Sequence, residues 1–315
     1  MATTKSKKIG LRKSLLFYCV MLAWPVLQFC VFYIGVNFNS ILLAFKSYDV
    51  LDPLHKAYSF NFDNFAVWFD RGDMDYGMQL FPALGVSFKA YLISLLVGVP
   101  LGLFFSYYIF KKLPGASFFR VVLFLPTILS GVVLVSIYKR FLNDAVCEIL
   151  VKWGLYVRGT EGALWMARDS AFATVMIFNV FISFGTSVLM YSNKMTTISP
   201  EIIESAQLDG AGALAEFFHI VLPMAFSTVS VFLITGIAGI FTNQLNAHAF
   251  YVTGNSVLKE VQSIGYILYY KTRSAGQMSW LYGPIAALGV MLTAVVVPLT
   301  FGARYLLNRF GPSEE

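Results

Sequence analysis

The chain has 315 residues, of which 57% are hydrophobic, 17% aromatic and only 13% charged, with a formal net charge of +6 and a mean hydropathy of +0.69. A soluble domain carries about 25% charged residues, so this composition excludes an ordinary water-solvated globule and makes the bilayer the expected solvent. Cys19, Cys30 and Cys147 show no disulfide or metal spacing, which argues against a stapled secreted domain.

Taken in chain order, Lys5, Lys7, Lys8, Arg12 and Lys13 come first, just ahead of an apolar run. Basic residues in that place are an orienting signal beside a membrane rather than a nucleic-acid patch. The run from Leu15 to Ile34 is about as long as a spanning helix, and no small-residue cleavage site follows it. It is therefore read as an uncleaved first span. Six stretches are long and apolar enough to cross a bilayer: about 15–38, 81–110, 117–138, 170–191, 217–241 and 279–307. Backbone groups in lipid must bond internally, so all six are predicted helices and the fold class is an all-α integral membrane protein.

The expected organisation is a tail at 1–14, one six-span domain at 15–310 and a short tail at 311–315. Basic residues divide equally between the two sides. The N-terminus is placed inside because short segments beside the first span dominate orientation, and six spans return the C-terminus to the same side. Pro25, Pro82, Pro100, Pro126, Pro223, Pro284 and Pro298 fall in or beside the spans, as structural kinks or as flexible points. Lys89 is the one charge well inside a predicted span, read either as snorkelling to the outer headgroups or as a functional residue. His55, His219 and His248 are isolated and suggest no metal site.

Between the fourth and fifth spans lies a polar, glycine-interrupted segment at 199–216. Ser199-Pro200 reads as a helix start, with a capping hydroxyl and proline at the first position. Glu201 complements the helix dipole, and Ile202 and Ala206 share a face. Gly210 breaks the helix, and a second one starts near Ala213 and runs into the fifth span with Pro223 just inside. Such a segment is either an interfacial re-entry loop or a docking element for a cytoplasmic partner.

Glu204, Ala206, Asp209, Gly210, Ala211, Phe217, Ile220, Leu222 and Pro223 together resemble, in register, the EAA coupling loop of the permease subunits of bacterial ABC importers, with Ser205 where alanine is common. Weaker likeness covers Leu125-Pro126-Thr127 through Tyr138 and Asn243 to Gly254. Asn255-Ser256 replaces the usual Gly-rich stretch. The resemblance is to the maltose- and glycerol-3-phosphate-like sugar branch, in which two permeases pair.

It implies a type I importer bundle in the bacterial cytoplasmic membrane. Glu204, Ala206, Asp209, Gly210, Ala211, Ile220 and Pro223 would couple it to an ATP-binding cassette ATPase dimer. A second permease and an extracellular or periplasmic substrate-binding protein complete the expected partners, along with the lipid bilayer and no nucleic acid. No G-x-x-x-x-G-K-[ST] phosphate loop occurs in the chain, so ATP and magnesium are assigned to the separate ATPase and the chain is expected to hold no cofactor and to be no enzyme.

Sugars need hydroxyls, amides and aromatic faces in an apolar pocket. Asn179, Ser183 and Thr186 are spaced four and three apart on one face of the fourth span, and Thr242, Asn243 and Asn246 end the fifth. By the resemblance these six are substrate contacts; by their chemistry alone they equally serve as interhelical hydrogen bonds. A permease for a non-sugar solute, or a secondary transporter, are the alternatives for the whole chain.

Overall fold

The computed structural model describes residues 17–48, 58–70, 72–73, 76–154, 164–251, 257–276 and 281–312. The basic cluster at 5–13, His55, Asn255-Ser256, the 1–14 tail and most of the 311–315 tail lie outside the described residues. In chain order the elements are α1 (Phe17–Ala44), β1 (Lys46–Tyr48), β2 (Tyr58–Phe60), α2 (Asp63–Ala66), α3 (Gly77–Phe110), α4 (Ala116–Ile128), α5 (Gly131–Lys152), α6 (Arg168–Met195), α7 (Pro200–Leu208), α8 (Ala213–Met224), α9 (Phe226–Thr242), α10 (Ala247–Phe250), α11 (Ile264–Ala275) and α12 (Tyr282–Phe310). Four helices, α1, α3, α6 and α12, are each long and apolar enough to cross a membrane, and the bent pairs α4–α5 and α8–α9 raise the number to six if each pair is one span.

The chain divides into two compact units, residues 1–69 with 275–291 and residues 70–274 with 292–315. In the smaller unit, no residue in the most apolar stretch of α1 is buried, and Trp24 is 71% exposed. An apolar surface that bare must be covered by lipid or protein. The unit also adds a two-stranded antiparallel ribbon, with Lys46 opposite Phe60, to an otherwise helical chain. Asn64 donates to the carbonyls of Ala44 (3.0 Å) and Lys46 (2.8 Å), and the buried Trp68 indole donates to Pro284 at 2.7 Å.

In the larger unit α3 and α4 pack along α6, and α9 packs on α3. Its interior has two main apolar clusters. One gathers Val135, Val175, Phe178, Leu245, Phe250 and Val261; the other gathers Leu103, Tyr191, Met195, Ile203, Phe217 and Val221.

Two of the predicted spans are not straight. The 117–138 stretch is broken between α4 and α5 with a 111° bend. Pro126 cannot donate to the Val122 carbonyl, Leu129 and Ser130 are extended, and the helix restarts at Gly131. Lys139 and Arg140, expected in a loop, therefore lie within α5. The 217–241 stretch bends by 68° at Ala225. Four helices also contain wide π turns, at Phe29–Gly35, Ser94–Gly98, Leu142–Val146 and Phe217–Val221.

Candidate functional site

The 199–216 segment forms a corner. Pro200 opens α7 as expected, with Ser199 extended at the cap position, but the Ser199 hydroxyl makes no capping bond. The face that turns inward is Ile203 and Ala206, whereas Ile202 is exposed. That corrects the expected pairing of Ile202 with Ala206: positions three apart also share a face, and here that row meets Phe217 and Met195. Gly210 takes a left-handed φ of +82°, which ends α7 at the cost only glycine avoids. The Ala211 amide returns to the Ala206 carbonyl at 2.9 Å, closing the turn before α8.

Of the coupling residues, Glu204, Asp209 and Gly210 are exposed, Ala206 is buried, and Ala211, Ile220 and Pro223 are half-buried. His219 is exposed, with its Nδ1 3.0 Å from the Ala215 carbonyl. Two leucines project from the corner: Leu208 is 89% exposed and Leu214 68%.

Four residues not singled out in the sequence hold this corner. Glu216, only 1% exposed, accepts from Lys111 Nζ at 2.9 and 3.0 Å and from Gln207 Nε2 at 3.2 Å. The Tyr107 hydroxyl stands 3.0 Å from Glu216 Oε1 and 3.0 Å from the Ala213 carbonyl. Glu216 and Gln207 belong to the corner, Tyr107 to the last turn of α3, and Lys111 follows α3 directly. A carboxylate beside an apolar run and a lysine ending another were both visible in the sequence. Their pairing, across 105 residues, was not.

A cavity of about 440 Å³ lies among α3, α6 and α9. Asn179, Ser183, Asn243 and Asn246 are on its wall; Thr186 and Thr242 are not. The polar part of the wall also includes Ser87, Tyr91, Ser94, Ser187 and Ser263, none of them anticipated. No Asp, Glu, Lys, Arg or His lines it among the described residues. Thr242 instead faces a second, shallower groove with Gln244, Tyr269, Thr272 and Arg273.

The wall at Asn243–Asn246 is built by amide chemistry. Leu245 and Asn246 are both left-handed, with φ of 53° and 54°. The Asn243 side chain accepts the Leu245 amide at 2.8 Å. Asn179 donates to the carbonyls of Val175 and Leu245 and accepts from Asn246 Nδ2, each at 2.8 Å. Both donors of the Asn179 amide are thus committed to protein, so this residue shapes the wall. Ser183 donates to the Val180 carbonyl in its own helix and lies on the cavity wall. Ser263 bonds the Asn243 carbonyl, and Ser87 takes the Ile264 amide. Just past α10, Tyr251 donates to the Trp165 carbonyl; burial, with the Glu260 charge adding to it, pushes its phenol up to about 12, so it stays a neutral donor.

Comparisons with known proteins agree in kind. No family model matches the chain. The probable ABC transporter permease protein YesP of Bacillus subtilis (strain 168) is 30% identical over 230 residues, covering 71% of this chain and 69% of the relative. The multiple sugar-binding transport system permease protein MsmF of Streptococcus mutans is 22% identical over 276 residues, covering 86% and 88%. A permease chain in the crystal structure of a bacterial alginate ABC transporter, complexed with its alginate pentasaccharide-bound periplasmic protein, matches 96% of both chains with a TM-score of 0.77 at 19% identity. That similarity extends the fold to nearly the full length. With its apolar helices and its likeness to YesP, the chain is an integral membrane protein and belongs to the family of ABC transporter permeases.

Proposed function

We propose that this chain is one of two unlike permeases of an ATP-driven importer that moves a carbohydrate into a bacterial cell by alternating access. Each bent pair counts as one span, giving six, with both termini inside. The 199–216 corner docks on a separate ATPase that holds the ATP and magnesium; the chain itself catalyses nothing. A substrate-binding protein, of the kind named with the alginate transporter, delivers the sugar.

The observation that carries this reading is the two-sided corner. One side is pinned by Ile203, Ala206, Phe217 and Glu216, while Leu208 and Leu214 project with Glu204 and Asp209. Exposed leucines flanking a polar turn, beside Glu204 and Asp209, suit a protein partner rather than lipid. The cavity supports the choice of solute. Among the described residues its wall offers hydroxyls, amides and tyrosines but no countercharge, so phosphate or a polyamine would find nothing on that wall to neutralise it.

Gentle co-purification from native membranes, with mass spectrometry of bound proteins and small molecules, tests the assembly. A second permease, an ATPase and an oligosaccharide are expected; a homo-oligomer without an ATPase would replace this reading with a channel or secondary carrier. Within the complex, Leu208→Asp should release the ATPase. For the cavity, Ser183→Ala should lower uptake of the co-purified sugar about tenfold, the loss expected of one well-placed hydrogen bond, whereas Thr186→Val and Thr242→Val should leave it unchanged. Equal loss in all three would move the sugar path elsewhere.

A further inference from the structure

Besides its covalent entry from the end of α6 and the packing of Ile203 and Phe217 in one cluster with Leu103 and Met195, the corner is joined to the rest of the larger unit by two routes of different stiffness. The covalent route runs from α8 into α9, and it contains the wide turn at Phe217–Val221, Pro223 and the 68° bend at Ala225. A wide turn, a missing backbone donor and a bend each remove regular helical hydrogen bonds, so this connection is compliant. The second route is not covalent. Glu216 receives both the Lys111 ammonium and Gln207, with Tyr107 at 3.0 Å, and almost none of it meets solvent. Charge-assisted bonds in a buried place are short, directional and strong. From Lys111 the chain leads back through regular α-helix from Phe110 to Val99, about 18 Å at 1.5 Å per residue. That stretch ends at Val99, which is on the cavity wall, with Pro100 in its first turn; the wide turn at Ser94–Gly98 follows and also lines the cavity, so the regular helix delivers the displacement at Val99.

We propose that Glu216, Lys111, Tyr107 and Gln207 form a clamp that makes the corner and the end of α3 move as one body, so that α3 carries displacement of the corner to the cavity wall. This rests on the reading of the corner as the ATPase dock. Glu216 and Lys111 are positioning residues: they touch neither nucleotide nor solute. Burial of the carboxylate is what confers the specificity of the link, because Glu216 has no solvent to fall back on if Lys111 moves away. Lys111 is the freer partner, its side chain 24% exposed.

The test uses the complete transporter with Cys19, Cys30 and Cys147 replaced by alanine and spin labels in pairs. One pair, at Ser205 and Lys112, reports on the clamp; the other, at Ser94 and Ser183, spans the cavity. Distances are measured without nucleotide and with ATP bound to a hydrolysis-defective ATPase partner. In the otherwise native chain the first distance should stay fixed while the second shifts. In Glu216→Gln and Lys111→Gln the first distribution should broaden, and the fraction of complexes whose cavity responds to ATP should fall about tenfold, within the range of ordinary site-to-site coupling. Lys111→Arg, which keeps the cation, should restore both. A purely structural role would lower the amount of assembled complex without separating the two distances.

An ATP-dependent change at Ser205–Lys112 in the native chain, or a native cavity response in Glu216→Gln, overturns the clamp. If Glu216→Gln does not accumulate, Lys111→Gln at the more exposed partner decides alone. Absence of any ATPase from the native complex is a different failure: it removes the docking reading itself.

Discussion

The two junctions at opposite ends of the bent pair α8–α9 turn the chain with different chemistry. At Asn243–Asn246 everything is neutral: an asparagine amide from α6, a serine hydroxyl and backbone groups hold two consecutive left-handed residues. At 209–216 a left-handed glycine makes the turn and a buried ion pair holds it. Neutral hydrogen bonds each contribute about 1 kcal/mol net and leave no field behind. An ion pair costs desolvation and resists separation more strongly. The neutral junction borders the cavity, where a fixed charge would bind or repel a passing solute. The charged one lies at the corner, and neither Glu216 nor Lys111 is on the cavity wall.

Four substitutions at three positions probe that contrast. The largest effect is expected at the neutral junction from Gly265→Ala, because a Cβ there would stand 2.5 Å from the Thr242 backbone and 2.7 Å from the Asn243 carbonyl. Backbone cannot step aside as a side chain does, so we expect a loss of about 3 kcal/mol, at the upper end of overpacking costs, seen as a lowered midpoint of thermal unfolding in detergent. A normal midpoint would mean that α11 is free to move off the end of α9.

Next is Asn179→Leu, which removes three hydrogen bonds and leaves the Leu245 carbonyl unpaired, for about 2 kcal/mol. Its signature is faster proteolysis after α9 together with weakened uptake, since it distorts the wall without removing a solute contact. The smallest effect is at the corner. Gly210→Ala meets nothing within 4 Å, so it costs only the left-handed strain of about 1 kcal/mol. ATPase docking should survive it, whereas Gly210→Pro, whose ring forbids a positive φ, should uncouple transport from ATP hydrolysis while the bundle stays folded.

Much of this arrangement was legible because it is local. Apolar runs of spanning length, the proline opening α7 and the glycine ending it depend on neighbours in sequence, and they stand where expected. The break at Leu129–Ser130 was not legible, because hydropathy averages over a bend and treats both sides as one run; Pro126 was the available sign. The cavity face on α6 was read half correctly. The wall follows the row of fours, 179, 183, 187 and 191, so Ser187 and Tyr191 line it and Thr186, one step of three from Ser183, turns aside. The Glu216–Lys111 pair was beyond reach, since no spacing rule relates the end of one span to the start of another 105 residues later.

The wide turn at Phe217–Val221 also has a hereditary side. A π turn is an α-helix with one residue inserted, and its removal returns the helix to ordinary pitch with everything beyond rotated by about 100°. Between that turn and Phe226 the chain has only Leu222–Met224 and the bend at Ala225, so the residues whose facing it sets most directly are those of α8. Loss of a single codon here would leave composition and hydropathy essentially unaltered and yet re-face the start of α8 against the cluster of Leu103, Tyr191 and Met195, so a lineage could alter the seating of the corner by one deletion rather than by many substitutions.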